Sequence, residues 1–343
     1  MTHRKRRTWA GTAIGSVALA AVTLLTAQGC APARPADAVS AASSSAALAT
    51  AQRASEAYRH ASDAAAVRGD MTAALSVVTA AQWAQVKGQY TALAVAGTAV
   101  PRYQYGTPVY YVPALSGFPQ WFVVAVPRRT DTGGRLGAPV NTLLLFSKAK
   151  KSVQWTLSGS TVLNQPLPEI ALDHGFAVPV STTDPSLLLR PDVVGATQAA
   201  VVDDGPASPA AAVVGGGSHT TGLYTAQAAR AAAEQAGGLQ YQWLLQGAPF
   251  PQVGLKLLHG GALVLYGMNL NTSNQHPNLV AGTPIPVPAA FTPLLAAPTE
   301  VGYHAVFANW SYEFAAIDPP ATTRNAKLKV IASQGAPTFA HAY

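Results

Sequence analysis

The chain has 343 residues, of which 49% are apolar and only 11% charged, so small and hydroxyl side chains must cover much of its surface. Four of its 22 basic residues, Arg4, Lys5, Arg6 and Arg7, lie at the start; the other 18 face 15 acidic ones, too small an excess to argue for a nucleic-acid partner. A single cysteine, Cys30, excludes an intramolecular disulfide framework and cysteine-rich metal sites.

The four basic residues are followed by an uncharged, mostly apolar run over residues 9–25, then by small and polar residues ending at Gly29 and Cys30. That order predicts a lipoprotein signal peptide over residues 1–29, with Cys30 lipidated on its sulfur as the first mature residue. Ala27 stands where such signals usually carry Leu, and Gln28 takes the place of a small residue. The alternative is an ordinary signal cut elsewhere, which would release a secreted protein with one free thiol. Gly11, Thr12, Gly15 and Ser16 weaken the apolar run as a retained membrane span. Residues 30–45, rich in Ala, Pro and Ser, read as a flexible tether that lets the body clear a surface. The predicted location is the outer face of the cytoplasmic membrane, reached through the N-terminal lipid.

Residues 46–185 and 186–343 read as two domains on one plan, helices first and an antiparallel meander after. Residues 46–68 are Ala-rich, with Arg53, Glu56, Arg59 and Asp63 spread among Leu48, Ala51, Ala54 and Tyr58, which predicts a helix with one weakly apolar side. Gly69 interrupts it, and Asp70 suits the N-cap of a second helix carrying Met71, Leu75, Val78, Ala81 and Trp83. The period then shortens. Residues 107–112, 121–127, 142–147 and 152–158 are strand-like, and Asp131, Thr132, Gly133 and Gly134 mark a hairpin turn. Residues 166–179 form a crossing segment. Pro191 suits the first turn of a helix, residues 203–221 contain nothing that demands a packed partner, and residues 226–236 are helical up to Gly237 and Gly238. Strand candidates return at 239–245, 253–258, 262–269, 304–315 and 326–332, with a tight turn at His259, Gly260 and Gly261 and a last hairpin turning at Gln334, Gly335 and Ala336. The predicted fold class is α+β: two tandem modules, each with helices packed on a curved antiparallel sheet.

The tethered Ala-rich start, the Pro-x-Trp-Phe-Val strand from Pro119, the Gly-Gly-Ala-Leu-Val strand opening from Gly260 and the Lys-Leu-Lys-Val-Ile segment from Lys327 together resemble an uncharacterised lipoprotein family of high-GC Gram-positive bacteria. The resemblance implies tandem domains of the nuclear-transport-factor-2-like or cystatin-like kind over roughly residues 45 to 343. It implies location and shape, and supplies no catalytic residue to carry over.

Motifs of chemistry are sparse. There is no Gly-x-Ser-x-Gly elbow, and Gly215 to Gly217 lack the Lys of a phosphate loop. Ser218 with His219, and Asp173 with His174, are sequence neighbours, and successive side chains of an extended segment point opposite ways. His60 with Glu56 or Asp63 has helical spacing but reads as a solvated pair, so no metal site, cofactor or catalytic residue is assigned. The aromatic residues are the better candidates. Tyr303, Trp310 and Tyr312, with Glu313, are predicted to form the mouth of a pocket, although Trp310 and Tyr312 share one strand face and Glu313 the other. The predicted function is a non-enzymatic binding or structural role, engaging an envelope protein, a wall polymer or an apolar ligand, with Arg128, Arg129, Lys148 and Lys150 steering acidic surfaces. The alternatives are a small-ligand carrier, or a small-substrate hydrolase or isomerase using Asp173, His174 or Glu313 in a cone-shaped cavity.

Overall fold

The computed structural model describes residues 36–297 and 300–343, so the leader, Cys30 and the first residues of the tether lie outside the described residues. Helix α1 (Ala36–Arg68) begins inside the stretch read as a tether, because alanines with a few serines have a high intrinsic helix preference. Gly69, at φ +63°, ends it, and Asp70 opens α2 (Met71–Ser76) by accepting the Ala73 N–H at 2.9 Å. The apolar pattern predicts one helix running on through Trp83. Instead residues 77–79 straighten: the Thr79 N–H donates to Leu157 O at 2.9 Å and the Leu157 N–H to Val77 O at 3.0 Å, before α3 (Ala80–Val95) begins. A long-range bridge to a strand has overridden local helical pattern.

Strands β1 (Arg102–Tyr105), β2 (Val109–Tyr111), β3 (Gln120–Thr132), β4 (Arg135–Leu136), β5 (Val140–Lys148) and β6 (Thr156–Leu163) follow. Gly133 and Gly134, at φ +62° and +87°, make the two-residue turn between Thr132 and its partner Arg135. The crossing segment carries β7 (Leu172–Asp173), β8 (Phe176–Ala177) and β9 (Pro179–Val180) and leads to α4 (Pro191–Asp204), which opens on Pro191, and α5 (Thr221–Ala236). Between those helices Val214 is 1% exposed and bridges Leu328, so the low-complexity stretch does have a packed partner. The second set of strands is β10 (Gln240–Gly247), β11 (Val253–Lys256), β12 (Ala262–Gln275), β13 (Ala305–Asp318) and β14 (Lys329–Ala342).

The hairpin expected at Gln334, Gly335 and Ala336 is corrected. These residues continue β14 and pair with Glu313, Tyr312 and Ser311 of β13, and Pro337 follows at a register shift, where a proline is tolerated because the ladder is already irregular. Gly335 is needed there for space rather than for a turn, since the Tyr312 ring occupies the place of a Cβ.

The two separate curved sheets are corrected as well. Twelve strands form one open sheet in the order β1-β3-β5-β6-β14-β13-β12-β11-β9, with β2 and β4 also on β3 and β10 also on β12. The halves join where Ala332 and Ser333 of β14 pair with Leu163 and Val162 of β6, and again where β9 pairs with β11. The reason is an edge: β14 is long, and leaving its second side wholly unpaired would expose a row of amides. Residues 37–343 hold together as one unit. The α+β class therefore stands, on one twelve-stranded sheet, with β7 and β8 paired apart from it.

Register puts Phe122, Val124, Leu144 and Phe146 on the same face as Phe314 and Tyr266. The first group packs beneath α1 with Ala51 and Tyr58, the second beneath α4 with Val194. On the other face Val123, Leu143, Leu145, Ala332, Ala315, Leu263 and Leu265 share a core with Ile170 and Ala177 of the crossing segment.

Candidate functional site

The four residues expected at a pocket mouth are dispersed. Tyr303 precedes β13 and is 48% exposed. Trp310 and Tyr312 lie in a stacked ladder with Phe314, at ring spacings of 6.0 and 5.6 Å, and Phe291 meets Trp310 edge-on at 5.4 Å. Glu313 points the other way and is buried. The structure therefore brings Trp310 and Tyr312 together and separates both Glu313 and Tyr303 from them.

Glu313 sits where β6 diverges from β14. Beyond their two shared pairs the Ser160 N–H has no strand partner, and Glu313 Oε2 accepts it instead; Thr161 Oγ1 donates to the Glu313 carbonyl at 3.3 Å. Burial pushes the Glu313 carboxyl well above the ordinary carboxylate range, opposed by the Ser160 N–H and by the nearby Gln82 side chain, and Oε1 has no hydrogen-bond partner. The space beside it is about 20 Å³, walled by Leu143, Leu145, Phe250 and Tyr266. That holds about one water, not a substrate. Its carboxyl closes a strand edge.

The other polar candidates are no better placed for catalysis. Asp173 and His174 occupy the exposed β7–β8 turn, with Oδ1 and Nε2 3.6 Å apart. Ser333 Oγ lies 3.1 Å from His219 Nδ1 and 3.3 Å from Nε2, while Asn164 Nδ2 is 3.1 Å from Nε2. An oxygen so nearly equidistant from both ring nitrogens lies along neither lone pair, so the imidazole is not aimed at it as a base. Burial pushes the His219 pKa down. Asp63, the helical neighbour of His60, is committed to Arg102 through hydrogen bonds of 2.6 and 2.7 Å, and among the described residues no three His, Cys, Asp or Glu cluster as metal ligands.

A cavity of about 400 Å³ lies between α1, α3, β1, β3 and the middle of β14. Tyr58, Tyr90, Tyr103 and Tyr105 line it together with Arg59 and Arg128. Its wall is close-packed at one point, where Gly88 of α3 presses on the Pro337 carbonyl and leaves no room for a Cβ. Gln82 Nε2 donates to Gln85 Oε1 at 3.0 Å, and Gln85 Nε2 to the Ser311 carbonyl at 3.2 Å, which ties α3 to β13.

Arg128 is the unexpected member. It is only 9% exposed, so it does not present its charge on an outer surface as the steering role expected of it requires. Nη1 donates to Ser160 Oγ at 3.3 Å, Nη2 to Gln334 Oε1 at 3.1 Å, and the guanidinium lies over the Tyr103 ring at 4.4 Å. All these partners are neutral. Arg59 lies 5.8 Å from the Tyr105 centroid, its Nε is buried without a partner, and its carboxylate contact is with Glu56 at 4.0 Å. The acid on the cavity wall, Asp63, is held below the ordinary carboxylate range by the Arg102 hydrogen bond. Burial pushes the hydroxyls of Tyr58, Tyr90 and Tyr105 up, so they stay neutral. Two cations thus face a cavity whose only wall carboxylate is already neutralised. The signal for Arg128 is present in the alternation Phe122, Val124, Val126, Arg128, which places it on the inward face of β3, but the strand read from the sequence ends at Pro127, one residue short of it.

Among the described residues no helix is long and apolar enough to cross a membrane. Over 160 residues the chain is 29% identical to an uncharacterised lipoprotein of Streptomyces avermitilis, covering 45% of this chain and 44% of that protein. The match thus spans less than half the length of that relative, which comes from a high-GC Gram-positive bacterium, as the sequence resemblance implied. No solved structure matches the chain. The model of the family described as a domain of unknown function, DUF8094, matches residues 37–341, and the chain belongs to that family.

Proposed function

We propose that this protein is a lipid-anchored envelope component that binds a small ligand, without turning it over, in the cavity beneath α1 and α3. The observation that carries the reading is the cavity itself: its volume of about 400 Å³ falls within the range of about 300–1,000 Å³ typical of ligand sites, and its wall combines tyrosine rings with a few polar groups. Trp310 and Leu294, which lines the cavity, pack against the same buried cluster of Phe291, Ala308 and Ala340. The relation to a Streptomyces lipoprotein supports the anchor, with residues 1–29 as its leader and Cys30 as the lipidated residue. A small amphipathic molecule suits the cavity better than a wall polymer or a folded protein, which would need an exposed surface.

The test is native mass spectrometry of protein purified from its host's membrane fraction, with a Cys30→Ser variant beside it. The expected result is an acylated chain carrying an additional small mass that leaves on denaturation, and a variant lost from the membrane. Repeated absence of bound mass, together with no thermal shift across a diverse small-molecule set, would overturn the ligand site. An unacylated chain in the medium would overturn the anchor.

A further inference from the structure

We infer that the cavity selects an organic anion, with an oxyanion head held by Arg128 and Arg59 and an apolar or aromatic body lying against Tyr58, Tyr90 and Tyr103. The inference rests on the ligand-site reading and narrows it to a chemical class.

A buried guanidinium is expensive to desolvate and is normally found with a carboxylate beside it. Arg128 instead spends two of its donors on a serine hydroxyl and a glutamine carbonyl, at 3.3 and 3.1 Å, and rests on the Tyr103 face. Its remaining donors have no anion among the described residues. Arg59 repeats the pattern in part: its buried Nε donates to nothing, while its Nη2 reaches the exposed Glu56 carboxylate only at 4.0 Å. Tyr105 links the pair: Arg59 lies 5.8 Å from its ring centroid, and the nearby Arg128 charge acts on its hydroxyl.

Among the described residues no buried anion stands in place of a ligand at Arg128, and the one acid near Arg59, Glu56, is 58% exposed and reaches Nη2 only at 4.0 Å. Asp63 is held by Arg102 through two hydrogen bonds, and Glu313, behind Ser160, is occupied by that residue's N–H and pushed toward its neutral form by burial. A cationic ligand would meet two arginines in a low-dielectric space and be repelled. A neutral ligand would leave the Arg128 charge unmatched and Arg59 with its long, exposed Glu56 contact alone. A planar carboxylate, or a phosphate ester, fits the forked donor geometry of arginine and would complete both residues at once. Tyrosine rings on the surrounding wall then select for an apolar or aromatic body over a bare inorganic ion.

The test is isothermal titration of the full chain in detergent with 2-naphthoate, 2-naphthyl phosphate and the uncharged 2-naphthamide, repeated with Arg128→Gln and Arg59→Gln. We expect at least one of the two anions to bind about tenfold or more tighter than the amide, a gap that shrinks toward zero in either variant. Whichever anion leads tells whether the head is a carboxylate or a phosphate. Equal binding of the amide and both anions, or a preference that survives both substitutions, would overturn the inference while leaving the ligand cavity in place. If Arg128→Gln fails to fold, the anion-to-amide ratio on the unmodified protein decides alone. A neutral or cationic molecule co-purifying from the host would also sink this inference and uphold the cavity. No binding of any probe, with no co-purified mass, would end both readings.

Discussion

Asp318 stands at the end of β13, completely buried, with Oδ1 accepting the Leu189 N–H at 3.3 Å and Oδ2 without a partner. Burial pushes its carboxyl from 3.8 up to about 7, the Leu189 N–H opposing. A folded-state pKa above the unfolded value means that the native state binds more protons between those two values. Stability supplied by the protonated form is therefore present in full below about pH 4 and is lost progressively as pH rises toward 7. At 1.36 kcal/mol per unit, the rise is worth about 4 kcal/mol. Asp318→Asn removes the titration while keeping an oxygen for the Leu189 N–H. Its new amide N–H₂ has no partner, which costs about 1–3 kcal/mol at every pH. Urea denaturation of both proteins from pH 4 to pH 9 isolates the linked part: the stability of the variant relative to the parent should climb by about 4 kcal/mol across that range and level off above about pH 7. Glu313 titrates in both proteins and drops out of the difference. A difference that stays constant with pH would refute the argument that burial, without a compensating charge, governs this carboxyl.

Glu313→Gln should gain stability relative to the parent as pH rises, because the same burial raises that carboxyl and the amide oxygen can still accept the Ser160 N–H; pH-dependent denaturant melts would show a crossing in the wrong direction if Glu313 were native as a carboxylate. Gly88→Ala should destabilise by about 1–3 kcal/mol, since its Cβ would meet the Pro337 backbone carbonyl and the strand cannot step aside without breaking its β13 pairs, and equilibrium unfolding would read it. Asp70→Ala should cost about 1 kcal/mol by removing the cap on the Ala73 N–H, whereas Asp70→Ser should recover most of it. Phe314→Ala should cost about 3–5 kcal/mol, because the ring is fully buried between Tyr266 and Tyr312.

What could be read without coordinates was local. Asp70 as an N-cap, Pro191 in a first helical turn, Gly237 and Gly238 closing a helix, and the glycine turns at Gly133–Gly134 and Gly260–Gly261 are all decisions made by backbone freedom and nearby hydrogen bonds, and each stands where it was expected. The α+β class followed from the change of apolar period, because side-chain repeats of a helix and a strand differ whatever they pack against. The proposed export leader rests on the order of basic residues, apolar run and Cys30 in the sequence, and lies outside the described residues.

What only the tertiary structure decided was nonlocal. Gln334, Gly335 and Ala336 have the composition of a turn, yet they run straight through a strand because β13 supplies partners on one side and the Tyr312 ring fills the space a side chain would take. The joining of two meanders into one sheet depends on pairings such as Ala332 with Leu163, which are far apart in the chain and leave no mark in either segment's pattern. Glu313 shares a strand with the aromatic ladder but serves the Ser160 N–H on the other face, a role created only by the divergence of β6 from β14. Arg128 lies between both kinds of information. Alternation along β3 turns it inward, but the lack of a partner acid, and hence its meaning, arises only when α1, β1 and β14 close around it with Asp63 already bound to Arg102.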